Sequence, residues 1–163
     1  MGKLVNITTA LHESTNRDFL ARMVDDKVHC MKLAKQYGKD YWDGDRRYGY
    51  GGYKYIPGRW KPVAEDLIKI YNLKSDSKVL DIGCGKGYLL HEMKLLIPDL
   101  DIVGIDSSDY GLENAKEEIK PFIHKHKAEV KLPYKDKEFD LVISLGTFHN
   151  LRLLELKIAL SEM

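Results

Sequence analysis

Asp81, Gly83, Gly85 and Gly87 stand at alternate positions in KVLDIGCGKG, and a second acid, Asp106, closes the next apolar run of Ile102, Val103 and Ile105. Glycine at this density lets the backbone take positive φ and brings it bare against a ligand. Before the glycines, Val79, Leu80 and Ile82 read as a short buried strand; after them, Leu89, Leu90, Met93, Leu96 and Ile97 recur at helical spacing. A strand that breaks through glycines into a helix N-terminus is a nucleotide cradle, because free amides and the positive end of the helix dipole face the turn. In a doubly wound sheet the next strand lies alongside, so its terminal carboxylate, Asp106, reaches the ribose of a nucleoside held over the loop.

Spacing decides which nucleoside. A dinucleotide fingerprint needs G-x-G-x-x-G, but Tyr88 occupies the place of the third glycine, and the phosphate-gripping G-x-x-x-x-G-K-[ST] is absent. On the remaining pattern, D-x-G-x-G-x-G followed by the acid in GIDSS, the chain from about Val63 onward resembles the class I S-adenosylmethionine-dependent methyltransferases, in particular the small-molecule branch called type 11. The resemblance implies a cofactor site made of Asp81, Gly83, Cys84, Gly85, Gly87, Asp106, Ser107, Ala128 and Ser144, holding S-adenosylmethionine or S-adenosylhomocysteine. The usual acid before the alanine of HKAEVKLPY is replaced by Lys127, which cannot accept the adenine amino group, although the Ala128 amide can still meet the ring. Small-molecule relatives often carry a His near the place of His149 in SLGTFHN, where an imidazole can deprotonate or orient a hydroxyl or amine acceptor. The N-P-P-Y type run of base-methylating enzymes is missing there.

The elements that position these residues alternate strand and helix. Pro62 opens a helix carrying Val63, Leu67, Ile70 and Tyr71; a helix after Ser108 or Asp109 carries Leu112, Ala115 and Ile119; residues 122–126 and 139–144 give a third and fourth strand. The fold class is therefore α/β, a doubly wound Rossmann-like parallel sheet in the order 3-2-1-4. Residues 1–61 form a separate helical and lid segment, and 62–163 the cofactor domain. A helix capped by Ser14 or Thr15, with Leu20, Met23, Val24, Val28, Met31 and Ala34, runs to Gly38, or splits at Asp25 and Asp26. Residues 41–60 hold five of the ten tyrosines, five of the thirteen glycines and both tryptophans. Tyr41, Trp42, Tyr53, Tyr55 and Trp60 supply rings to close over a ligand, and Arg47 or Arg59 a fork for a carboxylate, whereas the plainer reading is an aromatic connector.

Composition sets the outer limits. A net charge of +1 provides no field that recruits nucleic acid or an acidic membrane, so a nucleic-acid acceptor is unsupported. No apolar run reaches membrane-spanning length, and two distant cysteines, Cys30 and Cys84, suit a reducing cytoplasm. His29 with Cys30, and His124 with His126, lack further metal-ligand partners and read as packing, so no metal is expected. The expected activity is in-line methyl transfer to a small-molecule acceptor. Its alternatives are a non-catalytic cofactor-binding module, a truncated paralogue, or an NAD-type oxidoreductase, which shares the acid but not the glycine spacing. The resembled fold has seven strands and this sequence supplies four, so the chain reads as a fragment. The two leucine stripes of LRLLELKIALSEM and the strand 139–144 are expected to pair with a second copy as a dimer, through that strand and helix 151–160.

Overall fold

The computed structural model describes residues 4–8, 11, 13, 20 and 24–163. Four strands, β1 (Lys78–Ile82), β2 (Asp101–Asp106), β3 (Ile123–Lys125) and β4 (Leu141–Ile143), form one sheet in the order β3-β2-β1-β4. Every pair is parallel, with Val79 opposite Ile102 on one side of β1 and Leu141 on the other. The helices are α1 (Lys27–Ala34), α2 (Lys39–Trp42), α3 (Lys61–Tyr71), α4 (Tyr88–Leu96), α5 (Asp109–Glu113) and α6 (Leu153–Ser161).

Alternation along β1 sends Val79 into the larger core, with Val63, Leu67, Leu90, Met93 and Ile102, while Leu80 and Ile82 face a smaller cluster with Ile105 and Leu132. The center of the sheet is filled so tightly that Gly104, opposite Asp81, has no room for a methyl. A Cβ there would lie 2.7 Å from Cys84 Sγ and Ile123 Cγ2 and 2.9 Å from Leu90 Cδ1. Gly104→Ala is expected to cost about 1–3 kcal/mol by overpacking, read as a lower urea midpoint at an unchanged slope.

Several boundaries differ from the sequence reading. The third and fourth strands are shorter than 122–126 and 139–144: Phe122 belongs to the 3-10 turn Lys120–Phe122 before β3, while beside β4 Asp140 turns its carboxylate to the Lys78 amide (2.8 Å) and Ser144 donates its hydroxyl to the Ile82 carbonyl (2.8 Å). The helix after β2 is capped by Ser108, whose hydroxyl accepts from Gly111 N, and stops at Glu113, where the Asn114 side chain donates to the Tyr110 carbonyl. Ala115 and Ile119 are buried from the turns that follow.

At the N-terminal end, most of the first part of the helix read from Ser14 or Thr15, Met23 included, lies outside the described residues, and Leu20, which is described, is exposed. A new helix does begin after the two aspartates, with Asp26 accepting from the His29 amide. Its expected apolar stripe is not buried within the chain: Val24, Val28 and Met31 are exposed. At the other end both leucine stripes remain largely open, with Leu153, Leu154 and Leu160 exposed and only Ala159 buried in α6. Among the described residues, β4 has a strand neighbor on one side only.

Candidate functional site

All three loop glycines are left-handed, with φ of 82° at Gly83 and 58° at Gly85, so the turn between β1 and α4 folds back onto the end of β2. The amides of Gly83 and Cys84 donate to the Ile105 carbonyl, at 2.7 and 3.0 Å, and that of Gly85 to Asp106 Oδ2 at 2.8 Å. The Gly87 amide donates to the Cys84 carbonyl at 2.9 Å. The expectation of free amides in the turn is therefore corrected: the loop spends these four on its own shape. What it presents to a ligand is Gly83 and the acid beside it.

A cavity of about 470 Å³ lies at this end of the sheet. Its floor is Gly83, Asp106 and Ser107; one side is His126, Lys127, Ala128 and Glu129; another is Leu145 to Thr147 with Asn150, Leu151 and Arg152. Tyr37, Tyr41, Trp42 and Tyr50 form the wall contributed by the N-terminal segment. The volume suits a small ligand.

The remaining site residues take other places. Cys84 is half-buried beneath the loop, and burial pushes its thiol well up. Gly85 lies under Trp42, whose Cη2 would meet a Cβ at 2.7 Å, and Gly87 caps α4. Ser144 is bonded to β1 behind the cavity. His149 is exposed on the 3-10 turn Phe148–Asn150; Thr147 and Asn150 beside it reach the cavity wall.

The segment 41–60 is divided likewise. Trp42 is 5% exposed and donates its indole N–H to Ser108 Oγ (2.7 Å) and the Tyr37 carbonyl (3.0 Å). Tyr53 stacks on Tyr88, and Tyr55 donates to Glu92 (2.8 Å) with its ring edge-on to His91. Trp60 packs against the larger core and Arg59 is exposed. Arg47 is engaged with Asp25 in an exposed ion pair, away from the cavity wall. His29 lies edge-on to Tyr48, and His124 meets the Tyr134 hydroxyl at 2.9 Å.

Two acids, half-buried Asp106 and buried Asp81, dominate the electrostatics. Burial raises Asp106, only partly offset by the amides of Ser108, Gly85 and Ser107. Asp81 is 5% exposed and has no hydrogen-bond partner among the described residues; burial, then the neighboring Asp106 charge, pushes it up to about 7. Sequence reasoning missed Tyr37, Asp43 and Lys86, and read Ser108 only as a helix cap. Tyr37 takes the left-handed position (φ 48°) that the reading of Gly38 as the helix stop would have given to glycine. Its carbonyl is held by Trp42 and by Ser108 Oγ at 2.5 Å, which fixes a conformation unusual for a bulky residue.

A family profile described as a methyltransferase domain matches residues 73–161. Over 124 residues the chain is 29% identical to the demethylmenaquinone methyltransferase of Thermotoga maritima, covering 76% of this chain and 51% of that protein. It is 31% identical over 90 residues to the ribosomal RNA small subunit methyltransferase C of Buchnera aphidicola, covering 52% of this chain and 25% of that one. A SAM-dependent methyltransferase of known structure from Aquifex aeolicus aligns with a TM-score of 0.51 at 26% identity, over 66% of this chain and 60% of that chain. The chain thus spans about half the length of the first curated relative and a quarter of the second.

Proposed function

Because this chain belongs to the methyltransferase domain family, we propose that it holds S-adenosylmethionine, or its product S-adenosylhomocysteine, at the end of β1 and directs methyl transfer to a small-molecule acceptor. The observation that carries this reading is the cavity that joins Gly83, Asp106 and Ala128, with the unpartnered Asp81 carboxylate buried close to Asp106. A buried acid without a partner suits a cationic ligand, and this cofactor has both a sulfonium and an ammonium. When bound, it supplies a methyl group already activated for in-line displacement.

The protein's part is then to bind, align and exclude water. Asp106 accepts from ribose hydroxyls, the Ala128 amide meets the adenine edge, and Tyr41, Trp42 and Tyr50 shield the site. His149 is our candidate to take a proton from a hydroxyl or amine acceptor, from its turn beside the cavity. The name of the Thermotoga relative supports a small acceptor, as does the cavity's aromatic wall. Lys127 in that wall favors a second reading, a module that binds the cofactor without turnover.

Titration calorimetry with S-adenosylmethionine, S-adenosylhomocysteine and NAD tests the assignment. The first two should bind and NAD should not; binding of NAD alone would overturn it. Turnover with added acceptors then separates the enzyme from the silent module. Among the described residues no helix is long and apolar enough to cross a membrane. We place the protein in the cytoplasm, with Cys30 and Cys84 as free thiols. The dimer through strand 139–144 and helix 151–160 is supported by the open edge of β4 and by Leu153, Leu154 and Leu160. Light scattering should give twice the chain mass; a monomer at high concentration would remove the dimer from the proposal.

A further inference from the structure

We propose that Lys86, with Asp43, is the latch that holds segment 41–60 over the glycine loop, and so is a positioning residue for whatever the cavity binds. Lys86 lies between Gly85 and Gly87, yet its side chain is only 4% exposed. Its ammonium donates to Asp43 Oδ2 (2.8 Å) and to the Tyr53 carbonyl (2.8 Å), and sits 5.7 Å from the center of the Tyr110 ring. Asp43 in turn accepts from the Tyr53 amide (3.0 Å) and the Tyr110 hydroxyl (3.0 Å). One charge pair thus ties together the glycine loop, the aromatic segment and α5.

Its energetics suit a closure. Burial works to raise the Asp43 carboxyl, but the bonds from Lys86, Tyr110 and Tyr53 outweigh it and hold the acid below its usual value. A buried ammonium is costly without partners, so a partial loosening that strands it is disfavored. Full opening returns both charges to water, which leaves two well-defined states. The exposed pair of Arg47 with Asp25 has no such leverage, because solvent screens it in either state.

Closure also places the ligand wall. Trp42 precedes Asp43 and rests on Gly85, the residue before Lys86, so the latch and the indole clamp adjacent positions of both segments. Lys86 does not line the cavity; it acts through Trp42 and its neighbors, which do. The part of the inference that concerns cofactor release rests on the function proposed above; the part that concerns closure does not.

The test compares the wild-type chain with Lys86→Met, with Asp43→Asn combined with Lys86→Met, and with Tyr110→Phe. Lys86→Met alone leaves the half-buried Asp43 carboxylate without its cation and can fail to fold. The double variant removes both charges while an amide at position 43 still meets the Tyr53 N–H and Tyr110. Trypsin should then cut after Arg47, Lys54 or Arg59 about tenfold faster in the double variant, with the far-ultraviolet circular dichroism of the sheet unchanged, because cutting follows the open population. Tryptophan emission should shift to the red as Trp42 meets water, and S-adenosylhomocysteine should dissociate about tenfold faster, an effect on release that a fold-wide loss of stability would not single out. Tyr110→Phe removes one bond to the latch and should move cleavage the same way by about two- to threefold. Unchanged cleavage and emission in a folded double variant, or in Tyr110→Phe should the double variant not fold, would overturn the latch. If the wild-type chain binds no S-adenosylhomocysteine, the cofactor assignment falls while cleavage and emission still decide the latch.

Discussion

Asp106→Ala is expected to weaken S-adenosylmethionine binding by about a hundredfold, the upper end of what charge-assisted bonds worth about 1.5–3 kcal/mol supply. The size follows from a double role. One side of the carboxylate is proposed to accept from the ribose, while its two oxygens already hold the Gly85 amide and the Ser108 amide, each at 2.8 Å. Losing it removes one of the bonds that tie the glycine loop to β2, leaving those of Gly83 and Cys84 to the Ile105 carbonyl, and loosens the start of α5. Comparing 5′-methylthioadenosine with its 2′-deoxy analog separates the two roles. The wild-type chain should discriminate between them and the variant should not; equal discrimination in both would remove Asp106 from the ribose.

The second large effect concerns pH. Asp81 is raised to about 7 by burial and by Asp106, whereas in the unfolded chain it titrates as an ordinary carboxyl. Between roughly pH 4 and 7 the native state therefore holds a proton that the unfolded state has lost, so stability falls as pH rises through that window, and the penalty is complete above it. At about 1.4 kcal/mol per unit, the full penalty is on the order of a few kcal/mol. Asp81→Asn should flatten the profile and leave the protein more stable than wild type at pH 8, measured by urea unfolding from pH 5 to 8.5. A cationic ligand reverses the sign: it favors the ionized acid, so affinity should rise with pH up to about 7 in the wild type and stay level in the variant. Parallel stability profiles for the two proteins would show that Asp81 is ionized throughout, and would sink this account.

The sheet order could be read because β1, β2 and β4 carry short apolar runs, strands alternate with helices, and the loop after β1 has a spacing with few other uses; β3 offers only Ile123 to the core. The ends of β4 could not, because single side chains beside them, Asp140 and Ser144, reach across to β1. The aromatic segment was visible as composition alone. With no period in residues 41–60, nothing in the sequence separates Trp42 and Tyr50, which meet the cavity, from Tyr55 and Trp60, which pack elsewhere. Lys86 and Asp43 are 43 residues apart, and a charge pair at that distance leaves no local pattern. Tyr37 had a faint signal, a bulky residue before Gly38, but which of two adjacent residues turns left-handed was decided by Trp42 and Ser108 bonding to its carbonyl.

The position of β1 bears on the order in which the chain becomes structured as it leaves the ribosome. β1 is flanked by β2, which follows after a single helix, and by β4, whose partner Asp140 lies 62 residues beyond Lys78. β2 begins at Asp101 and β4 at Leu141, so at about 5–20 residues per second translation separates the two pairings by roughly 2–8 s. Throughout that interval one edge of the most deeply buried strand is unpaired, and the loop-closure entropy for its second neighbor is still to be met. A nascent chain of this protein therefore spends seconds with the middle of its sheet open, the period in which a chaperone or a neighboring nascent chain can compete for β1.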